Sequence, residues 1–155
     1  MRILVLGLGN DLLTDDAVGI LAARDLAREL DGTPGVTVLE SSLHGVALLD
    51  LFVGHDKAIV LDAIQTGRAP AGTITELDPR DLGCVMAPSP HFAGLPELLA
   101  LARELDLEFP KAIVIYAVET EDQRTIGESP SEPVRRALPE LVSRVGELVR
   151  AWIAA

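Results

Sequence analysis

An aliphatic run near the beginning of the chain, Ile3 to Leu8, stops at Gly9 and is followed by a segment with helical spacing. A short apolar run bounded by glycine is typical of a buried strand. The apolar positions of the next segment recur every four residues, at Val18, Ala22, Leu26 and Leu30. The chain therefore begins with a strand, a glycine-containing turn and an amphipathic helix, the unit from which layered α/β folds are built.

The same alternation continues to the C-terminus. Further strands are predicted at residues 36–39, 58–61, 73–77 and 112–118, and helices near Ser41 or Ser42, from Ser89-Pro90, and around Val134 to Trp152. Pro139 lies inside the last helical pattern, which predicts a kink or a later start. The order predicts a single domain over residues 1–155. We expect a three-layer α/β/α sandwich on a five-stranded, mainly parallel mixed sheet, with the loosely alternating segment 73–77 at an edge.

The charge balance excludes several classes of partner. The chain has 24 acidic and 13 basic residues, a net charge of -11. Nucleic acids and anionic membranes are bound through Lys and Arg, so neither is an expected partner. Cys84 is the one cysteine, which leaves no disulfide and no cysteine cage for a metal. The first apolar run is short and acidic residues follow it, so we predict a strand rather than a signal peptide, no membrane span, and a cytoplasmic protein.

Chemically capable side chains are expected at one edge of the predicted sheet. Ligands of open α/β sheets bind beyond the carboxyl ends of the strands. Asp15 and Asp16 follow the first strand, Asp62 follows the third, and His91 lies at the beginning of the third long helix. Carboxylates and an imidazole from separate segments form a suitable site for a divalent metal. His91 is also a candidate general base near neutral pH.

Local structural roles account for each of these residues taken alone. Thr14 or Asp15 could cap the first helix, and Asp16 would favour its dipole. Asp62 could stabilise a turn, and His91 could make a local hydrogen bond. Glu40 and Glu119 also end predicted strands, and His44 follows a serine pair. The roles of those last three residues stay open.

Two ligand-binding alternatives fit the opening motif less well. A dinucleotide site needs a third glycine where the chain has Leu12, and the acidic pair would repel a pyrophosphate. A phospho-accepting receiver domain would use the acidic pair and Asp62. That class needs a lysine after the last strand, where this chain has Glu119. We therefore favour a metal site.

Three segments together form the pattern of a known protein family. GLGNDLLTDDAVGI, residues 7–20, is similar to the N-terminal signature of the nickel–iron hydrogenase maturation endopeptidases. AIVLDAI, residues 58–64, resembles its third strand, and SPHFAGL, residues 89–95, resembles its histidine segment. The length and the order of elements also fit, so the resemblance covers essentially the whole chain.

The resemblance implies both a fold and an activity. The fold is a five-stranded mixed sheet between helices, for which residues 73–77 are the candidate antiparallel strand. Asp16, Asp62 and His91 match the three side chains that bind a metal at the strand ends. The implied activity is removal of a C-terminal extension from the hydrogenase large-subunit precursor after nickel insertion. The nickel carried by that substrate is the recognition signal, and no nucleotide is involved.

The chain departs from the family pattern at two places. Asp16 stands where many members have glutamate, which moves a ligand oxygen back by one methylene. The segment from Glu40 to Gly45 replaces a turn that contains glycine and threonine. These departures affect the expected details of substrate recognition.

The resemblance leaves the chemical step open. Either a metal-activated water attacks the peptide, or Asp16 or Asp62 acts as a general base on a free water. Gly7 and Gly9 are expected to supply a permissive backbone, and Asn10 to brace the turn with its amide. A chaperone-type module that binds nickel through the same three residues without proteolysis is the non-enzymatic alternative, ahead of the receiver domain.

Overall fold

The computed structural model describes residues 1–80, 91, 95–127 and 129–155. The strands are β1 (Ile3–Leu8), β2 (Val36–Ser41), β3 (Lys57–Ile64), β4 (Ile74–Leu77) and β5 (Ala112–Glu119). The helices are α1 (Val18–Glu29), α2 (Leu49–Phe52, which continues a 3-10 turn at Gly45–Leu48), α3 (Leu95–Glu104) and α4 (Glu132–Ala154). The alternation predicted from the sequence is confirmed.

The five strands form one mixed sheet in the order β2-β1-β3-β5-β4. β1, β2, β3 and β5 are parallel, and β4 pairs antiparallel with β5 at one edge of the sheet. The prediction of an antiparallel edge strand at residues 73–77 is therefore confirmed. Because four strands run the same way, their carboxyl ends meet along one line, the C-terminal edge of the sheet.

Helices cover both faces of this sheet. Ile3 and Val5 of β1 pack in a core with α1 and α4, whereas Leu4 and Leu6 pack in a second core with α2 and α3. Successive side chains of a strand point to opposite faces, so a strand buried on both faces has to be apolar at every position. All six residues of β1 are buried, which explains its continuous aliphatic run.

The start of α1 differs from the sequence-based prediction. The helix begins at Val18, with Ala17 as the N-cap and no side-chain cap. Thr14 and Asp15 do not cap it, because both precede the N-cap position at Ala17. The Thr14 nitrogen donates to the Thr125 carbonyl at 2.9 Å, and the Asp15 carboxylate binds Ser131.

Three other observed element boundaries also differ from the predicted ones. Ser41 is the last residue of β2 rather than the start of a helix, and the 3-10 turn begins only at Gly45. β3 continues past Asp62 to Ile64, because β5 is long enough to pair with it as far as Glu119. α4 begins at Glu132 and runs through Pro139, so the predicted late start is wrong.

The predicted helix start at Ser89-Pro90 and the lone Cys84 lie outside the described residues. Within the ranges that the structure describes, no helix combines the length and the apolar composition needed to cross a bilayer.

Candidate metal centre

Three side chains from distant parts of the sequence meet at the C-terminal edge. Asp16, Asp62 and His91 each offer a ligand atom, and these atoms all lie within 4.8 Å of one another. All three residues are buried, with exposed fractions of 6%, 0% and 5%. Asp16 lies between β1 and α1, Asp62 lies on β3, and His91 precedes α3. The structure thus brings together the three residues that the sequence singled out.

The glycine turn after β1 allows the chain to double back toward Asp16. Gly9 has φ of +150°, and a Cβ atom there would lie 2.1 Å from the Asp16 carbonyl oxygen. Only glycine fits such a close approach in that backbone conformation. The Asn10 side chain accepts a hydrogen bond from the Leu12 nitrogen at 3.0 Å, as expected for a bracing residue.

Gly7 has a different role from the permissive backbone that was predicted. It lies in β1 and is absent from the positive-φ glycines of the described chain. A Cβ atom at Gly7 would lie 2.2 Å from the Gly19 carbonyl oxygen of α1. The two glycines therefore let the helix lie directly against the strand, which fixes where α1 begins relative to Asp16.

The first member of the acidic pair faces away from this cluster. Asp15 is 1% exposed, and its carboxylate accepts hydrogen bonds from the Ser131 nitrogen at 2.6 Å and the Ser131 hydroxyl at 2.9 Å. Ser131 is the N-cap residue of α4. A carboxylate at a helix N-terminus satisfies free amides and favours the dipole. Asp15 does serve a helix end, but that of α4 instead of α1.

His91 is oriented by a backbone carbonyl. Its Nδ1 lies 3.0 Å from the Leu43 oxygen, and its Nε2 lies 3.9 Å from Asp16 Oδ2. A carbonyl oxygen only accepts hydrogen bonds, so Nδ1 carries a proton and Nε2 faces the carboxylates. A donor bond of this kind fixes the ring and makes the other nitrogen a better ligand.

Electrostatics at the cluster favour a cation. Burial by itself lowers the pKa of His91, but the Asp16 carboxylate and the charge of Asp62 outweigh burial and raise that pKa to about 9. The imidazolium therefore balances two buried carboxylates at neutral pH. A divalent ion bound by both carboxylates and the neutral imidazole can replace it, and this oxygen and nitrogen donor set suits nickel or zinc. The residues present fit a metal.

Glu40 and Glu119, the other strand-end acids, are engaged elsewhere. Glu40 forms a bidentate ion pair with Arg24, at 2.8 and 3.0 Å, and Arg24 also contacts Asp11. Glu119 accepts hydrogen bonds from the Thr66 nitrogen and hydroxyl and from the Gly67 nitrogen, all within 2.9 Å. Both therefore hold loops in place and lie outside the metal-capable group found among the described residues.

No role was predicted from the sequence for three residues that contact the site or its supporting loop. His44 was noted without a role, and its ring centroid lies 5.9 Å from that of His91. The Leu43 carbonyl and Ser131 were missed altogether. Ser131, two residues before Pro133, was a readable helix-start signal, but nothing in the sequence paired it with Asp15, 116 residues away.

Comparison with known proteins identifies the family. Residues 20–147 match the family HycI, described as hydrogenase maturation protease. The chain belongs to the hydrogenase maturation protease family. This protease is thus a hydrolase of peptide bonds, as the opening motif indicated.

Individual relatives agree with this assignment. The protease is 34% identical over 120 residues to the hydrogenase 2 maturation protease of Escherichia coli K12, covering 76% of this chain and 73% of that protein. It is 29% identical over 155 residues to the hydrogenase expression/formation protein HupD of Rhizobium leguminosarum bv. viciae, covering 97% and 75% respectively.

A solved structure supports the same fold. The hydrogenase maturating endopeptidase HybD from E. coli superposes on the protease with a TM-score of 0.83 at 29% identity. The match covers 97% of this chain and 93% of that one. The prediction of a mixed, mainly parallel α/β sheet is confirmed, and the family assignment favours the protease over the receiver-domain and dinucleotide alternatives.

Proposed function

We propose that this protein is a cytoplasmic endopeptidase that removes a C-terminal extension from the large-subunit precursor of a nickel hydrogenase. It acts after nickel insertion and recognises the nickel carried by that precursor through Asp16, Asp62 and His91. The observation that carries the proposal is the convergence of these three buried side chains within 4.8 Å. The names of its relatives, which are hydrogenase maturation proteases, supply the class of substrate.

The donor set is suited to a metal that is shared with a substrate. Two carboxylates and one imidazole are fewer ligands than a closed structural site uses, since such sites are usually four-coordinate. The remaining positions are then available to ligands from the precursor. A bound divalent metal ion would supply Lewis-acid polarisation at the peptide to be cleaved.

The chain's own residues have distinct tasks in this proposal. Asp62, fully buried on β3, accepts a 2.8 Å hydrogen bond from the Ala63 nitrogen through Oδ1, which sets the direction of its carboxylate. His91 is held by the Leu43 carbonyl with Nε2 toward the cluster. A carboxylate oxygen of Asp16 or Asp62 can accept a proton from an attacking water.

A cleavage assay on two forms of one precursor tests this proposal. The purified protein is incubated with a large-subunit precursor of its own organism, either loaded with nickel or free of it, and the product masses are measured. We expect a single shortened product from the loaded form only. Cleavage of both forms would contradict nickel recognition. Tight binding of loaded precursor without any cleavage would favour the chaperone-type alternative.

A further inference from the structure

Four exposed apolar side chains lie in segments that follow strands at the same edge of the sheet as the metal centre. They are Leu12 (67% exposed), Leu43 (45%), Val46 (51%) and Ile126 (80%). We refer to these four residues as the apolar rim. They follow β1, β2 and β5, whose carboxyl ends meet at this edge. Clustered apolar exposure of this kind marks interaction surfaces, whereas single exposed residues do not.

Backbone contacts join the two segments that carry Leu12 and Ile126. Leu13 and Ile126 form an antiparallel bridge between the loop after β1 and the loop after β5. The Thr14 nitrogen donates to the Thr125 carbonyl at 2.9 Å, and the Gly127 nitrogen donates to the Leu12 carbonyl at 3.3 Å. The loop after β1 and the loop after β5 are therefore held together by backbone pairing.

The rim is physically connected to the metal centre. Asp16 follows Leu12 in the same loop, and the buried contact between Asp15 and Ser131 secures that loop against α4. On the other side, the Leu43 carbonyl contacts His91 directly. The segments that carry Leu12 and Leu43 thus also supply Asp16 and the carbonyl that orients His91, so a precursor bound at the metal centre would lie next to them.

Charges near the rim define the partner further. Glu121 and Asp122 are exposed in the loop that carries Ile126, with Arg124 as the nearby cation. Hydrogen bonds from the Thr125 hydroxyl and the Arg124 nitrogen keep the pKa of Asp122 low, so it stays ionised. With a net charge of -11 over the chain, the approach to this edge favours a basic surface.

We infer that the apolar rim is the docking surface for the precursor protein, which presents an apolar patch flanked by basic side chains next to the bond that is cleaved. This inference rests on the proposed function and adds a second recognition element to it. The metal centre recognises the nickel, and the apolar rim binds the surface of the precursor around that nickel. A few side chains that become fully desolvated near the centre of an interface usually carry much of its affinity.

Steady-state cleavage of the nickel-loaded precursor by Leu12→Ser and Ile126→Ser tests the inference. Because both side chains are exposed, the variants are expected to keep the melting temperature and the nickel affinity of the free protein. We expect KM to rise about tenfold for each variant, with kcat nearly unchanged, since the loss is of binding surface rather than of chemistry. Added salt should raise the wild-type KM.

Leu105→Ser is the matched control. Leu105 is 57% exposed but follows the end of α3, on the segment that leads back to the start of β5. Its KM should equal that of the wild type. An unchanged KM in both rim variants, or an equal rise in the control, would overturn the docking surface while wild-type cleavage leaves the proposed function standing. A wild-type KM that does not change with salt would overturn the claim that basic side chains flank the precursor's apolar patch. A wild-type protein that cleaves no loaded precursor would instead overturn the proposed function.

Discussion

The carboxylate of Asp15 binds both the backbone nitrogen and the hydroxyl of Ser131, at 2.6 and 2.9 Å. Its neighbour Asp16 turns toward His91, with 3.9 Å between Asp16 Oδ2 and His91 Nε2. Two adjacent acids of the opening motif therefore have separate tasks. One fastens the loop to α4, and the other supplies a candidate metal ligand.

Replacing Asp15 by Ala should lower the free energy of unfolding by about 2 kcal/mol, because a buried pair of charge-assisted hydrogen bonds is lost at a helix N-terminus. Chemical denaturation measures this directly. Asp25→Ala is the matched control, since Asp25 forms an exposed ion pair with Arg28 and should change stability by less than about 0.5 kcal/mol. Equal effects for the two variants would show that the contact with Ser131 does not stabilise the fold.

Gly9→Ala should be far more damaging than Gly32→Ala. Both glycines have positive φ, but a Cβ atom at Gly9 would lie 2.1 Å from the Asp16 carbonyl, whereas nothing lies within 4 Å of one at Gly32. We expect a loss of about 3 kcal/mol or more at Gly9 and about 1 kcal/mol at Gly32, measured by urea unfolding. Similar losses at both positions would mean that the close approach to Asp16 is not a constraint.

His91 should titrate well above an ordinary histidine in the metal-free protein. Its pKa is raised to about 9, against the model-compound value of 6.5, so the protonated ring stabilises the fold. That contribution is fully present below about pH 6.5 and is lost as the pH rises through about 9. NMR of the imidazole should show a midpoint near 9, and Asp16→Asn should lower it. A midpoint that Asp16→Asn leaves unchanged would argue against the pairing of these residues.

The element order could be predicted from short-range apolar patterns, whereas the choice of Asp16 over Asp15 as a ligand came from the family resemblance. An aliphatic run bounded by Gly9 indicates a strand, and parallel strands place Asp16 and Asp62 at one edge. The cap of α1 was predicted wrongly. The Asp15 carboxylate binds Ser131, which is 116 residues away, instead of the first amides of α1. No local pattern reveals Ser131 as its partner. The end of β3 also differs from the prediction, because the length of its partner strand β5 determines how far β3 stays paired.

The measurement that tests the central claim most directly is cleavage of a nickel-loaded precursor by four variants. They are Asp16→Asn, Asp62→Asn, His91→Ala and, as a control, Asp50→Asn, an exposed acid in the first turn of α2. We predict that the three site variants bind the free metal more weakly and lose cleavage by at least about a hundredfold, while Asp50→Asn cleaves like the wild type. Full cleavage by any one of the three site variants, in folded protein, would contradict the claim that this cluster recognises the nickel and is needed for peptide hydrolysis.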